Sequence, residues 1–121
     1  MHESNNEESL YGLTRNLVLG VNKPDAILAS TDNRAIIIMR ALHDFGIKIP
    51  DEISVMGIDN IPVGAMVEPP LSTVAQPLYQ MGSLAANKLI SQIRSKKNNK
   101  GMLPPKVDIV KTEIIIRQST R

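Results

Sequence analysis

Two aspartates have the clearest chemical placement in this sequence. Asp32 and Asp59 each follow a short apolar run, ILAST and ISVMGI, bounded by turn-forming residues. Runs of that length read as strands buried on both faces of a parallel sheet. The edge just past the C-terminal ends of such strands is where open α/β sheets bind ligands. A carboxylate there can accept two hydrogen bonds from neighbouring hydroxyls, a charge-assisted and directional contact. Each aspartate also has a purely structural reading. Asp32, beside Asn33, suits the N-cap of the helix that follows, and Asp59 suits the closure of a turn.

The remaining polar residues offer little foothold for catalysis. His2 and His43 have no second His, Cys or Glu at metal-ligand spacing. Ser30, Ser54 and Ser72 lack the Gly-x-Ser-x-Gly elbow. None of the 7 glycines forms a phosphate-cradling run. A phosphoryl-transfer enzyme would need a second acid beside a strand end to hold Mg²⁺, and no Asp-x-Asp follows either run. The expectation is a chain that is not an enzyme, with no catalytic residue, no metal and no cofactor.

Composition narrows the class further. The 121 residues suit one domain, and 42% hydrophobic with 21% charged residues is ordinary for a globular chain. A formal charge of +2 is too small to mark a nucleic-acid surface. Lys96, Lys97 and Lys100 have no aromatics among them and read as a solvated loop. The absence of cysteine excludes disulfides and thiolate metal sites. No apolar run approaches a membrane span and the start lacks a signal-peptide pattern, so a cytoplasmic, non-membrane protein is expected. Aromatics are only 2% of the chain, namely Tyr11, Phe45 and Tyr79, so either a ligand is not recognised by stacking or the stacking residues lie outside this sequence.

The elements that must position the two aspartates follow from periodicity. Residues 1–9 form a polar start expected to be largely disordered, with a helix from about residue 7 to 20 on Leu10, Leu13, Leu17 and Val18. Residues 25–31 and 53–58 are the two strands. Residues 35–45 between them read as a helix closed by Gly46, although Ile36-Ile37-Ile38 alone favours a strand. Two strands joined by one helix form a βαβ unit, whose strands are parallel. A proline-containing loop spans 61–70, a third strand 71–75, and an amphipathic helix 78–94. A basic loop (95–101) and an extended segment (107–117) complete the chain. The fold class expected is α/β, a doubly wound parallel sheet.

These motifs in this order resemble the C-terminal end of the LacI/GalR family of transcriptional repressors. The matching stretches are PDAILASTDNRAIIIMRALHDFGIKIPDEISVMGIDN, PPLSTVAQPLYQMGSLAANKLI and EIIIRQST. The resemblance implies a type I periplasmic-binding-protein-like fold of two lobes with the effector in the cleft between them. Residues 10–121 would then be most of the C-terminal lobe, incomplete, with helix 78–94 belonging to the N-terminal lobe and the DNA-binding head absent. It implies effector contacts at Asp59, Thr31, Asp32 and Leu78, where Thr31 replaces the Asn common in relatives and Leu78 an aromatic found in some. It implies homodimer contacts at Ile36, Met39, Met66 and Val67. The partners implied are a small-molecule effector, a sugar or sugar phosphate, and operator DNA through the absent head. The alternatives are a fragment of a transport-type sugar-binding protein and a stand-alone dimerisation module.

Overall fold

A computed structural model describes residues 3–97, 104 and 107–121. They form two units: residues up to Ala75 with Glu113–Arg121, and Gln76–Thr112.

In the first unit, helix α1 (Glu3–Leu19) leads to strand β1 (Ala26–Leu28), helix α2 (Asp32–Asp44) and strand β2 (Ser54–Ile58). A 3-10 turn, Pro62–Ala65, and strand β3 (Ser72–Ala75) follow, and strand β4 (Glu113–Ile115) returns from the second unit. The sheet order is β1-β2-β3-β4. β1 and β3 flank β2 in parallel, and β4 runs antiparallel to β3. The βαβ pairing expected from the alternation of runs is the one observed.

Context overrides propensity in α2. Ala35, Ile38, Met39 and Leu42 recur at helical spacing, and all four are buried with Ile53, Val55 and Leu71 as the core. The isoleucines left over, Ile36 and Ile37, are half-buried beside this stripe. Gly46 closes the helix with φ +72, a region that glycine enters without strain, while the Ile47 amide reaches back to the Leu42 carbonyl.

Helix α1 begins earlier than expected: residues from Glu3 onward are helical, so the polar start is not a coil in the described residues. Its glutamates favour a helix start by propensity and by the sign of the helix dipole. The stripe it buries is Leu10, Thr14 and Val18, while Leu13 and Leu17 are exposed. Thr14 fits this apolar stripe because its hydroxyl donates back to the Leu10 carbonyl at 2.9 Å. Tyr11 stacks at a tilt on Phe45 with 5.5 Å between centroids. Its hydroxyl donates to Asp44, and that bond raises the phenol pKa. Two of the three aromatics are therefore used in packing α1 against α2.

β1 departs from expectation. Its apolar run predicts a strand buried on both faces, yet Ala26 and Leu28 are exposed, Leu28 by 66%. The register puts Leu28 on the same sheet face as Met56, and Val74 on the same face as Ile114, which is also exposed. The opposite face carries Val55 and Gly57, against α2.

In the second unit, helix α3 (Leu78–Lys97) extends three residues past the expected end, so Lys96 and Lys97 belong to its last turn and not to a loop. Cationic residues there, Arg94 included, complement the helix dipole. The rest of the expected basic loop, with Lys100, lies outside the described residues. Lys88 pairs with Asp108 at 2.7 Å. Among the described residues no helix is long and apolar enough to cross a membrane.

Gly57 is the tightest point of the first unit. A Cβ there would lie 3.0 Å from the Asp32 Cα and collide with its carboxylate. Gly57→Ala should lower stability by about 2 kcal/mol or more, the order of an overpacked core site. Urea denaturation measures it, and an unchanged midpoint would show that Asp32 can yield.

Candidate functional site

The C-terminal ends of β1 and β2 meet the start of α2 at one edge of the sheet. Ser30 and Thr31 lie beyond β1, Asp59 and Asn60 beyond β2. Thr31 is the N-cap of α2: its backbone is extended, and its hydroxyl accepts the Arg34 amide at 3.3 Å. The Arg34 guanidinium turns back to Ser30, donating to its hydroxyl at 2.8 Å.

Asp32 has neither expected role. The cap belongs to Thr31, and the Asp32 side chain is fully buried. One carboxylate oxygen accepts the Thr73 hydroxyl at 2.6 Å, and the other the Ile61 amide at 2.9 Å. Asp32 therefore leaves the list of effector contacts. It ties α2 to β3 and to the loop leaving β2.

The turn after β2 has an unusual backbone. Asp59 has φ +117 and Asn60 φ +57, both on the side of the map that L residues avoid. Asn tolerates the second value, whereas the first is a strained state costing about 1–3 kcal/mol. Three backbone donors are fixed around it. The Asp59 amide reaches the Val74 carbonyl at 3.0 Å, the Asn60 amide the Thr73 hydroxyl at 3.2 Å, and the Ile61 amide Asp32. Asp59 itself is half-buried at the end of the strand. Strain held by so many bonds is typical of functional edges.

The segment after β4 completes the arrangement. The Arg117 guanidinium donates to the Asn60 side-chain carbonyl at 2.9 Å and to the Leu71 carbonyl at 2.5 Å. Fully buried Ser119 uses every polar group it has. Its amide donates to Pro70, its carbonyl accepts from Val55, and its hydroxyl donates to the Val55 carbonyl while accepting from Ser72. Sequence reasoning did not single out Thr73, Asn60, Arg117 or Ser119. The one local signal is that polar residues interrupt or end otherwise apolar runs.

The other expected positions divide. Leu78 opens α3 in the second unit and is exposed. Of the four expected dimer contacts, Met66 is 82% exposed, whereas Ile36 and Val67 are half-buried against the core. Met39 is a correction: only 5% exposed, it sits on the stripe of α2 that faces the sheet and presents no surface to a partner.

Residues 2–120 match the family model of the periplasmic binding protein-like domain. The chain is 36% identical to the ribose operon repressor of Halalkalibacterium halodurans over 97 residues, covering 80% of this chain and 28% of that protein. It is 33% identical to the lactose operon repressor of Rhizobium radiobacter over 114 residues, covering 94% of this chain and 96% of that sequence. It is similar to the crystal structure of a LacI family transcriptional regulator from Arthrobacter sp. FB24 in complex with lactose. That likeness has 26% identity and a TM-score of 0.78, over 95% of this chain and 41% of the other. The chain thus spans under a third of the ribose operon repressor and about two fifths of the lactose-bound regulator.

Removing the buried carboxylate tests its structural role. Asp32→Ala strands the Ile61 amide and the Thr73 hydroxyl and should cost roughly 3 kcal/mol or more in urea unfolding. Asp32→Asn, which keeps one acceptor oxygen, should fall between it and the natural chain. A loss below about 1 kcal/mol for the alanine variant would contradict the assignment.

Proposed function

The chain belongs to the periplasmic binding protein-like domain family of LacI-type transcriptional regulators, and from that premise we propose that it is the effector-binding and dimerising part of a bacterial regulator of carbohydrate use. The effector is a sugar or a related hydroxyl-rich small molecule. The observation that carries this reading is the half-buried Asp59, set on a strained turn at the C-terminal edge of a parallel strand. A carboxylate there can accept hydrogen bonds from paired sugar hydroxyls. Thr31, one strand away, adds a hydroxyl. With Tyr11 and Phe45, the aromatics of the first unit, packed on each other, recognition of the sugar by that unit is polar.

The role is regulatory, not catalytic. Effector binding shifts the balance between two arrangements of a regulator only by its differential affinity for them. In a dimer that shift changes the spacing of two DNA-reading heads, which must match half-site separation. Operator DNA is thus a partner through a head outside these 121 residues, at a site this chain does not itself supply. The dimer contact is the surface around exposed Met66 and its chain neighbour Val67, with half-buried Ile36 of α2 the further candidate.

Sugar binding is tested by amide NMR spectra of the chain titrated with ribose, lactose and a non-sugar diol of equal osmolarity. Shifts should cluster at Ser30, Thr31 and residues 59–61 for at least one sugar and be absent for the diol. Asp59→Asn should weaken that response about tenfold, the loss of one charge-assisted bond. Shifts that avoid this edge, or that survive Asp59→Asn unchanged, would overturn the reading.

Dimerisation is checked by light scattering across a concentration series. The natural chain should approach twice its monomer mass, and Met66→Glu should return it to monomer by burying a charge at the contact. A Met66→Glu variant that still dimerises would move the contact elsewhere.

A further inference from the structure

We propose that Arg117 is a positioning residue for the effector edge: it clamps the Asn60 side chain and so holds the turn that presents Asp59. The inference rests on the reading of Asp59 as an effector contact and names what keeps that contact in place.

Arg117 lies two residues beyond β4, far along the chain from the turn. Its guanidinium forks between two acceptors, the Asn60 side-chain carbonyl at 2.9 Å and the Leu71 carbonyl at 2.5 Å. Its backbone amide donates to the Ser72 hydroxyl at 2.8 Å. The rigid planar fork suits two acceptors held in a fixed relation, and a lysine ammonium would lack that geometry. The side chain is half-buried, so the bonds are partly shielded from water.

The turn has need of such a clamp. Asp59 at φ +117 and Asn60 at φ +57 would relax if the surrounding bonds let them. The amides of residues 59, 60 and 61 are held by Val74, Thr73 and Asp32, all from β3 and the start of α2. The contact from Arg117 engages the Asn60 side chain instead, from the chain's final segment. That segment is anchored in turn by Ser119, which bonds to both Val55 and Pro70. The C-terminus therefore has a fixed seat at the strand starts and, through Arg117, a hold on the strand ends where Asp59 sits.

The competing role for Arg117 is a general staple of the C-terminus, and local hydrogen exchange separates the two. In Arg117→Met, exchange of the Asn60 and Ile61 amides should quicken about tenfold, the effect expected for one lost bond to a charged donor, while amides within α2 keep their rates. In an Asn60→Gly background, which accepts positive φ without the clamp, Arg117→Met should add nothing at those two amides. The lactose and ribose response at residues 59–61 should weaken in Arg117→Met and be partly kept in Arg117→Lys. Exchange that is unchanged, or faster throughout the sheet and α2 alike, would overturn the proposal. So would an equal effect of Arg117→Met with and without Asn60, or quickened exchange with an undiminished sugar response. If neither sugar acts on the natural chain, the reading of Asp59 falls, and the exchange data still decide whether Arg117 holds the turn.

Discussion

A carboxylate with no exposure to water governs the geometry of this protein's first unit. A buried charge is tolerated only when its lone pairs are met by well-placed donors. Asp32 meets that condition by drawing three separate segments to one point. It opens α2, accepts the Thr73 hydroxyl from β3, and accepts the Ile61 amide from the chain leaving β2. Its position in the first turn also sets a negative charge against the positive end of the helix dipole. The space it fills dictates Gly57 in the neighbouring strand. Sheet register, helix entry and strand exit are consequently fixed together, and the Asp59–Asn60 turn is confined between Thr73 on one side and Ile61 on the other.

The two strand-end aspartates show how alike sequence positions can diverge. Both follow an apolar run and both precede Asn. After β1 the chain turns at once into a helix, which carries Asp32 inward over Gly57. After β2 no long helix follows, and the chain passes through a strained turn into a 3-10 segment. That second route keeps Asp59 half-buried at the edge of the sheet. The difference lies in the connection that follows each strand, not in the residue.

Much of this was legible along the chain. The order of elements, the parallel pairing of β1 with β2 and the stop at Gly46 all followed from periods and turn residues, which are local properties. The misreadings share a cause, since each depends on partners distant in sequence. Asp32 reads from the sequence as a cap or a ligand contact because its donors at positions 61 and 73 cannot be seen among its neighbours. The resemblance implies Met39 as a partner contact, and an apolar helix does not by itself announce which face meets its own sheet. Thr14 was passed over in favour of Leu13 and Leu17, although a threonine bonded to its own helix buries more readily than hydropathy suggests. The exposed face of β1 was missed because an apolar run states what a strand prefers, and not what covers it.

The distribution of polar contacts bears on what holds the sheet in register. Apolar burial is concentrated on the face covered by α2, while Leu28 and Ile114 stand exposed on the other. Hydrophobic burial is non-directional and can stabilise neighbouring registers almost equally. Satisfied buried hydrogen bonds cannot, because a one-residue slip would leave each of their donors stranded. Asp32 and Thr73 lock one end of the sheet, and Ser119 with Ser72 locks the other. The buried polar residues, which propensity alone would place on the surface, are therefore what specify this arrangement, and the apolar residues stabilise it once specified.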